Sequence, residues 1–581
     1  MAPMMSPARK RMRYAAPLLV VALTATVGCA EPETTSNEPA APEFPRAETL
    51  YTGGSQWGPP TSWNPLSGGD DATGVRGLLY EPLYLFDPWT AELEPWLAEQ
   101  SDWVEDDVYE LTLRQGIEWS DGTPMTADDV VFTVELGRID GMPYADVFDW
   151  LDEVVALDDH TVRFTFSDPR RGEWDNFLTS HHIVPEHLWS RLSEEDVPTH
   201  TNHDNPVGSG AYLYHSHTED RMVWERNDDW WGTEALDLEM RPRYVIDVVN
   251  ASNEIAFRQI VQNQLDLSNF FLPGIEQTVA EQEAVATFYP EEPYMLSANT
   301  AYLVPNTTRA PLDDPEFRRA LAFSIDVSAI VEQVYGGIVR AADPTGLLPT
   351  WDDYVDDAVV AEFGFEYDPS EAEEILAAAG YSDTTGDGYV ETPDGSQIEL
   401  SLIVPDGWSD WNEAAFVIAD GAREAGISLA VDFPANSTLN DRRNAGEFDL
   451  IIDNRTPLTN TPWSTYRFLF NMPIRDSQPE FNAGRYENPE AWQLTQGLAR
   501  MSVGDPGFQE TMSALQEITL RELPAIPMWY NGAWSQVNHS TWTNWPSDDD
   551  DTPNHYPVTW GGYWDMGAIY MLAELEPVTG G

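Results

Sequence analysis

The sequence predicts an α/β protein built from more than one domain, and two observations carry that reading. Helical patterns with recognisable caps alternate with β-branched strand patterns through the body of the chain. The chain has 581 residues, 42% hydrophobic and 12% aromatic, which is enough apolar material for two or three cores. No internal repeat of solenoid period is visible.

Residues 1–28 contain no acid and run from the basic "ARKRMR" through the apolar "YAAPLLVVALTATVG" to Cys29, the only cysteine. This is the outline of a signal peptide, too short for a comfortable transmembrane span. "TVGC" resembles the lipobox of bacterial lipoproteins, with Thr26 where leucine is usual, so cleavage before Cys29 and its lipidation are expected. The text after it, "AEPETTSNEPAAPEFPR", has almost nothing to bury and reads as a flexible tether over 29–46.

Residues 47–98 are turn-rich and aromatic. "DVYELTLRQGIEW" then alternates as a half-buried strand, with Tyr109, Leu111 and Leu113 on one face. "SDGTP" turns the chain, and Thr126 with Asp129 three residues on forms a capping-box pattern that starts a helix. "PVGSGAYLYHSHTEDRMVWERNDDWWG" predicts two strands, followed by the strand "RYVIDVV" and the helix "ASNEIAFRQIVQNQLDL". Asp314 and Pro315 open the helix in "DDPEFRRALAFSI", and Gly380 closes the one in "DPSEAEEILAAAG". "IELSLIVP" and "ISLAVDFP" supply further strands.

The formal charge is −69, from 99 acidic residues against 30 basic ones, and Lys10 is the single lysine. Removing residues 1–28 takes away four basic groups and no acid, leaving 26 minus 99, or −73. Carboxylates hold water when salt screens their repulsion, so this composition predicts a surface suited to concentrated salt. It argues against nucleic acid and anionic lipid head groups as partners.

"LRQGIEWSDGTPMTADDVVFTV", "PVGSGAYLYHSHTEDRMVWERNDDWWG", "PLDDPEFRRALAFSIDVSAIVEQVYGG", "YDPSEAEEILAAAGY" and "ELPAIPMWY" together resemble the bacterial extracellular solute-binding proteins of family 5. These are receptors of dipeptide, oligopeptide, nickel and oligosaccharide ABC importers. The resemblance implies a binder rather than an enzyme, with two α/β lobes of the periplasmic-binding-protein kind (type II, cluster C), an extra domain inserted in the first lobe, and closure on a ligand like a trap. It implies a first lobe made of residues 47–85, 205–300 and 526–581, an inserted domain over 86–204, and a second lobe over 301–525. It also implies ABC permease and ATPase subunits as partners, a membrane tether through the lipid anchor, and a monomer.

The tryptophan-rich pieces resemble the branch that binds β-linked oligosaccharides such as cellobiose. Peptide-binding members usually carry an aspartate before a proline after the "FDL" strand, whereas here Thr461 precedes Pro462. A sugar ring presents an apolar face and a rim of hydroxyls, which calls for flat aromatic platforms beside amides, carboxylates and guanidinium groups. Trp57, Trp63 with Asn64, Trp408 with Asp410 and Trp411, and Trp463 with Arg467 supply that mixture, and Trp529 and Trp534 complete the candidate ligand-binding set. Trp63, Trp408 and Trp463 are expected to converge on one cleft, while Trp96, Trp119 and Trp224 read as core. Two alternatives stay open: an oligopeptide or dipeptide receptor of an ABC importer, and a secreted glycoside hydrolase working with paired carboxylates.

"DTTGDGYVETPD" resembles a calcium-binding loop, with Asp383, Asp387, Glu391 and Asp394 at positions 1, 5, 9 and 12 and Gly388 at position 6. A polar hairpin between a helix and a strand is the other reading of the same text. The histidines show no metal-ligand spacing.

Overall fold

The computed structural model describes residues 44–578 apart from 54–55, 68–70, 88–91, 140, 457–458, 460, 479–480, 549–555, 557–564 and the side chains of 565–567. The leader, Cys29 and the tether up to residue 43 lie outside the described residues.

Three sheets organise the chain. The first has seven strands in the spatial order Val285–Thr287, Gln536–Asn538, Leu267–Ser268, Thr49–Gly53, Tyr244–Val248, Arg221–Arg226 and Tyr212–Thr218. The second has five, in the order Leu429–Asp432, Leu400–Ile403, Leu450–Asp453, Ser297–Pro305 and Ile526–Gly532. Four antiparallel strands, Ala98–Glu105, Val108–Leu113, Thr161–Phe166 and Leu151–Asp158, make the third.

The strands of the second sheet fall between strands of the first in sequence, so the chain crosses from one to the other and back. A division at residues 301 and 526 differs from what is found. Ser297–Pro305 and Ile526–Gly532 pair antiparallel from Ser297 opposite Gly532 to Leu303 opposite Ile526. Backbone hydrogen bonding keeps both strands in the second sheet, and both crossings therefore lie at the Ser297 and Gly532 end of this ribbon.

Local elements follow from the residues. Tyr109, Leu111 and Leu113 are buried along Val108–Leu113, as a period of two requires. Both halves of the Thr126 and Asp129 capping box are made at the start of Ala127–Glu135, with the Thr126 amide donating to Asp129 Oδ2 at 2.9 Å. Asp314 caps Pro315–Phe323, and Gly380 ends Pro369–Ala379 in the left-handed region at φ 94°. In "PVGSGAY" the glycines are steric: a Cβ on Gly208 or Gly210 would lie 2.0 Å from the carbonyl oxygen of Leu79 or Leu78.

One continuous apolar cluster joins the first sheet to the third, including Leu50, Val245 and Trp224 with Leu111, Val162 and Phe164. A second and a third cluster cover opposite faces of the second sheet, with Leu402 and Ile452 on one side and Ile403 and Ile451 on the other. Trp96, Trp119 and Trp224 are all buried core residues, as their sequence setting predicts.

Candidate ligand-binding site

The site is built where three loops meet. Gly407 adopts φ +84°, and a Cβ there would stand 2.9 Å from the Ala251 carbonyl oxygen, so the loop before the helix Ser409–Glu424 presses on residues 250–252. The Asn250 amide donates to the Gln56 carbonyl at 2.9 Å, which brings Trp57 to the same place. Trp57 and Asn250 flank strands of the first sheet, while Trp408, Asp410 and Trp411 follow a strand of the second.

Aromatic rings then form a chain between the two. Trp57 lies 5.3 Å from Trp408 and 4.8 Å from Phe270, and Trp408 meets Trp411 edge-on at 4.8 Å. Tyr335 packs 5.5 Å from Trp529 and stacks near-parallel with Trp534 at 6.2 Å. Phe271 touches both Tyr335 and Trp534. Asp410 links the groups, accepting from the Tyr335 hydroxyl at 3.0 Å and from Asn253 Nδ2 at 3.1 Å. Burial pushes its carboxyl up to about 6, against the pull of those donors.

Around these rings, buried polar atoms have no hydrogen-bond partner among the described residues. They are both side-chain atoms of Asn250, Oδ1 of Asn299, Oδ1 of Asn531, Oγ of Ser535, and Nε1 of Trp408 and of Trp529. Asn299 stands directly opposite Asn531 on the crossing ribbon. An unsatisfied buried polar group costs about 1–3 kcal/mol, so these atoms beside the rings are open to an external partner. All seven atoms belong to uncharged groups. The arrangement can hold a flat, neutral, hydroxyl-bearing molecule against indole faces.

Six of the ten candidates, Trp57, Trp408, Asp410, Trp411, Trp529 and Trp534, are thus brought together. Four are not. Trp63 is 2% exposed in the first cluster, against Tyr214 and His217. Asn64 is spent locally, accepting from the Leu66 amide at 2.8 Å and donating to the Val197 carbonyl at 3.1 Å. Trp463 is buried in the third cluster, and Arg467 is engaged by Asp146 and Glu173 instead of facing a ligand. Trp63, Trp408 and Trp463 therefore sit in three separate clusters and do not converge.

In the 383–394 loop, Asp383, Asp387 and Glu391 place carboxylate oxygens within 4.8 Å of one another. Asp394 turns away to accept from Thr392 Oγ1 and the Ser396 amide, so it leaves the expected set of four. The segment is also a hairpin, with Glu391 bridging both Ser382 and Gln397. Asp383 accepts from the amides of Gly386 and Gly388, and Glu391 from Thr384 and Thr385.

Sequence reasoning missed Asn250, Asn299, Asn531 and Ser535. Their text, "VVNAS", "SANTAY" and "YNGAWS", carries no motif; only strand pairing sets Asn299 opposite Asn531, and only the Asn250 bond to Gln56 sets Asn250 beside Trp57.

Residues 92–474 match the family model of bacterial extracellular solute-binding proteins, family 5 Middle. The chain is 27% identical over 402 residues to the oligopeptide-binding protein AppA of Bacillus subtilis, covering 68% of this chain and 70% of that one. It is 25% identical to the probable ABC transporter periplasmic-binding protein SapA of Escherichia coli, over 84% of this chain and 89% of that protein. Among solved structures, a periplasmic oligopeptide-binding protein of Thermotoga maritima with mannohexaose bound is 39% identical. It covers 92% of this chain and all of that one, with a TM-score of 0.88. AppA in complex with a nonapeptide superposes with a TM-score of 0.76 at 21% identity, covering 91% of this chain and 99% of that one, and shows the shared α/β periplasmic-binding fold.

Proposed function

The chain belongs to the bacterial extracellular solute-binding proteins of family 5, binding receptors of ABC importers and not enzymes, and on that premise we propose that its ligand is a neutral, β-linked oligosaccharide. The observation that carries this reading is the charge state of the unsatisfied atoms. Asn250, Asn299, Asn531, Ser535 and Trp408 offer amide, hydroxyl and indole groups, which pair with sugar hydroxyls. A peptide brings an ammonium and a carboxylate that need charged partners. The mannohexaose held by the Thermotoga maritima relative supports the same class, and cello- and manno-oligosaccharides are both within it.

A thermal-shift screen tests this. A ligand at 100 times its dissociation constant stabilises the fold by about 2.7 kcal/mol. Neutral oligosaccharides should raise the melting temperature and peptides should leave it unchanged; the reverse pattern would make this a peptide receptor.

We further propose that Cys29 is lipidated and tethers the mature chain to the outer face of the cytoplasmic membrane, the inference resting on "TVGC" after the apolar leader. Among the described residues no helix is long and apolar enough to cross a membrane. Cys29→Ser should move the protein from the membrane fraction to the soluble one; a wild type already soluble and unlipidated contradicts the tether. The acidic surface is proposed as an adaptation to salt. The melting temperature should rise from 0.01 M to 1 M salt, since the screening length shortens from about 30 Å to 3 Å; a melting temperature that does not rise contradicts it.

A further inference from the structure

Away from the aromatic junction, the third sheet's domain and the second sheet's lobe touch through charge. Arg467 on the helix Trp463–Phe470 meets Glu173 at 3.0 Å and also pairs with Asp146. Arg500, just past the helix Pro489–Leu498, forks onto both oxygens of Asp168. Asp146, Asp168 and Glu173 all belong to the domain of the third sheet, where Arg170 steadies Asp168 at 3.3 Å and Glu173 at 3.1 Å. The Arg467 and Glu173 side chains are 12% and 11% exposed, so their pair is poorly screened by salt.

The surfaces beneath are fitted to each other. The Gly172 amide donates to the Ala499 carbonyl at 3.2 Å, and a Cβ on Gly172 would lie 3.2 Å from Thr461 Oγ1 and 3.5 Å from Trp463 Cδ1. Arg467 also lies 5.4 Å from the Trp463 ring centre and 4.3 Å from that of Phe481. In a chain with 99 acids and 30 bases, two of the scarce arginines are committed to one acidic face across a domain boundary. Acids on one body and guanidinium groups on the other attract only when the bodies are together, so the pairing rewards closure whether or not a ligand is present.

We propose that Arg467 and Arg500, with Asp146, Asp168 and Glu173, form a closing latch that populates the closed form of the receptor before ligand arrives. This rests on the reading that the lobes close on a ligand. The latch sets the fraction of closed protein, and the apparent dissociation constant is the intrinsic one divided by that fraction. Arg467 is on this account a positioning residue, acting on the ligand only through the closed fraction.

The test reads the ligand-free protein. Spin labels at Val104→Cys and Val503→Cys, both exposed and on opposite bodies, are placed in the full chain carrying Cys29→Ser, and their separation is measured by double electron–electron resonance. The expected result is a dominant distance matching this structure, in which the two bodies touch, and Arg467→Met should replace it in large part by a longer one. Saccharide affinity should fall by the same factor as the closed fraction. If circular dichroism shows that Arg467→Met does not fold, Arg500→Gln, at a half-exposed side chain, should give a smaller shift in the same direction. A single long distance in the unsubstituted latch, or an unchanged distribution in the folded variants, overturns the proposal. Because no ligand enters the distance measurement, a latch that fails and an oligosaccharide assignment that fails give separate signatures.

Discussion

An indole that presents a face to a ligand and one that seals a core have the same sequence signature when both stand in turn-rich text. Trp63 in "PPTSWNP" and Trp408 in "DGWSDWN" show the difference that folding makes. Trp63 is walled in by Tyr214 and His217 and is 2% exposed, while Trp408 stays half-buried between Trp57 and Trp411. Trp408→Ala should weaken oligosaccharide binding by tenfold or more, about 1.4 kcal/mol, and leave the melting temperature nearly unchanged. Trp63→Ala should cost about 3–5 kcal/mol of stability and leave the affinity of the folded fraction alone. Calorimetric titration alongside denaturant melts separates the two, and equal behaviour would contradict the assignment. Residue type alone pointed to aromatics beside polar groups, and six of the ten candidates meet on that basis. The lone asparagines were illegible, because an Asn without a partner is recognisable only once its neighbours are known.

At the scale of elements, capping and alternation were read directly, since Thr126 with Asp129, Asp314 with Pro315, and Gly380 act within one turn of their own position. Glu81 shows what local reading cannot reach. Buried in "LYEPLY", it accepts from the indoles of Trp96 and Trp230 at 3.1 Å, of Trp231 at 2.9 Å, and from the Ser209 hydroxyl at 2.8 Å. It thereby ties the start of the third sheet's domain to the segment after the strand Arg221–Arg226. Burial pushes its carboxyl up from 4.5 to about 7 against the pull of all four donors. A folded-state value raised above the unfolded one means that the native chain holds this proton more tightly. The associated stability is fully present below pH 4.5 and is lost as pH rises to about 7, which amounts to roughly 3 kcal/mol. Glu81→Gln does not titrate, so its stability relative to the unsubstituted protein should improve between pH 4.5 and pH 7 by an amount of that order, whatever the fixed cost of the amide. Denaturant melts across this window read the gap, and a gap independent of pH would contradict the assignment.

For the whole molecule, the order of strands decides where a ligand can sit. The second sheet is inserted between strands of the first, both crossings lie at one end of the ribbon Ser297–Pro305 with Ile526–Gly532, and the unsatisfied Asn299 and Asn531 face each other there. The alternation of helix and strand made the α/β class legible, and the family resemblance supplied the two lobes. The exact crossing points were not legible, because Ile526–Gly532 reads as one more apolar strand and only its pairing assigns it to the second sheet. The central claim is that this junction captures a neutral oligosaccharide. Isothermal titration of the mature protein with mannohexaose, cellohexaose and a peptide of comparable length tests it most directly, repeated on Asn250→Ala combined with Asn531→Ala. Saturable binding of at least one hexasaccharide, weakened by a hundredfold or more in the double variant, with no heat from the peptide, is the predicted result. Peptide binding with both sugars silent, or sugar binding unaffected by loss of the two asparagines, would contradict it.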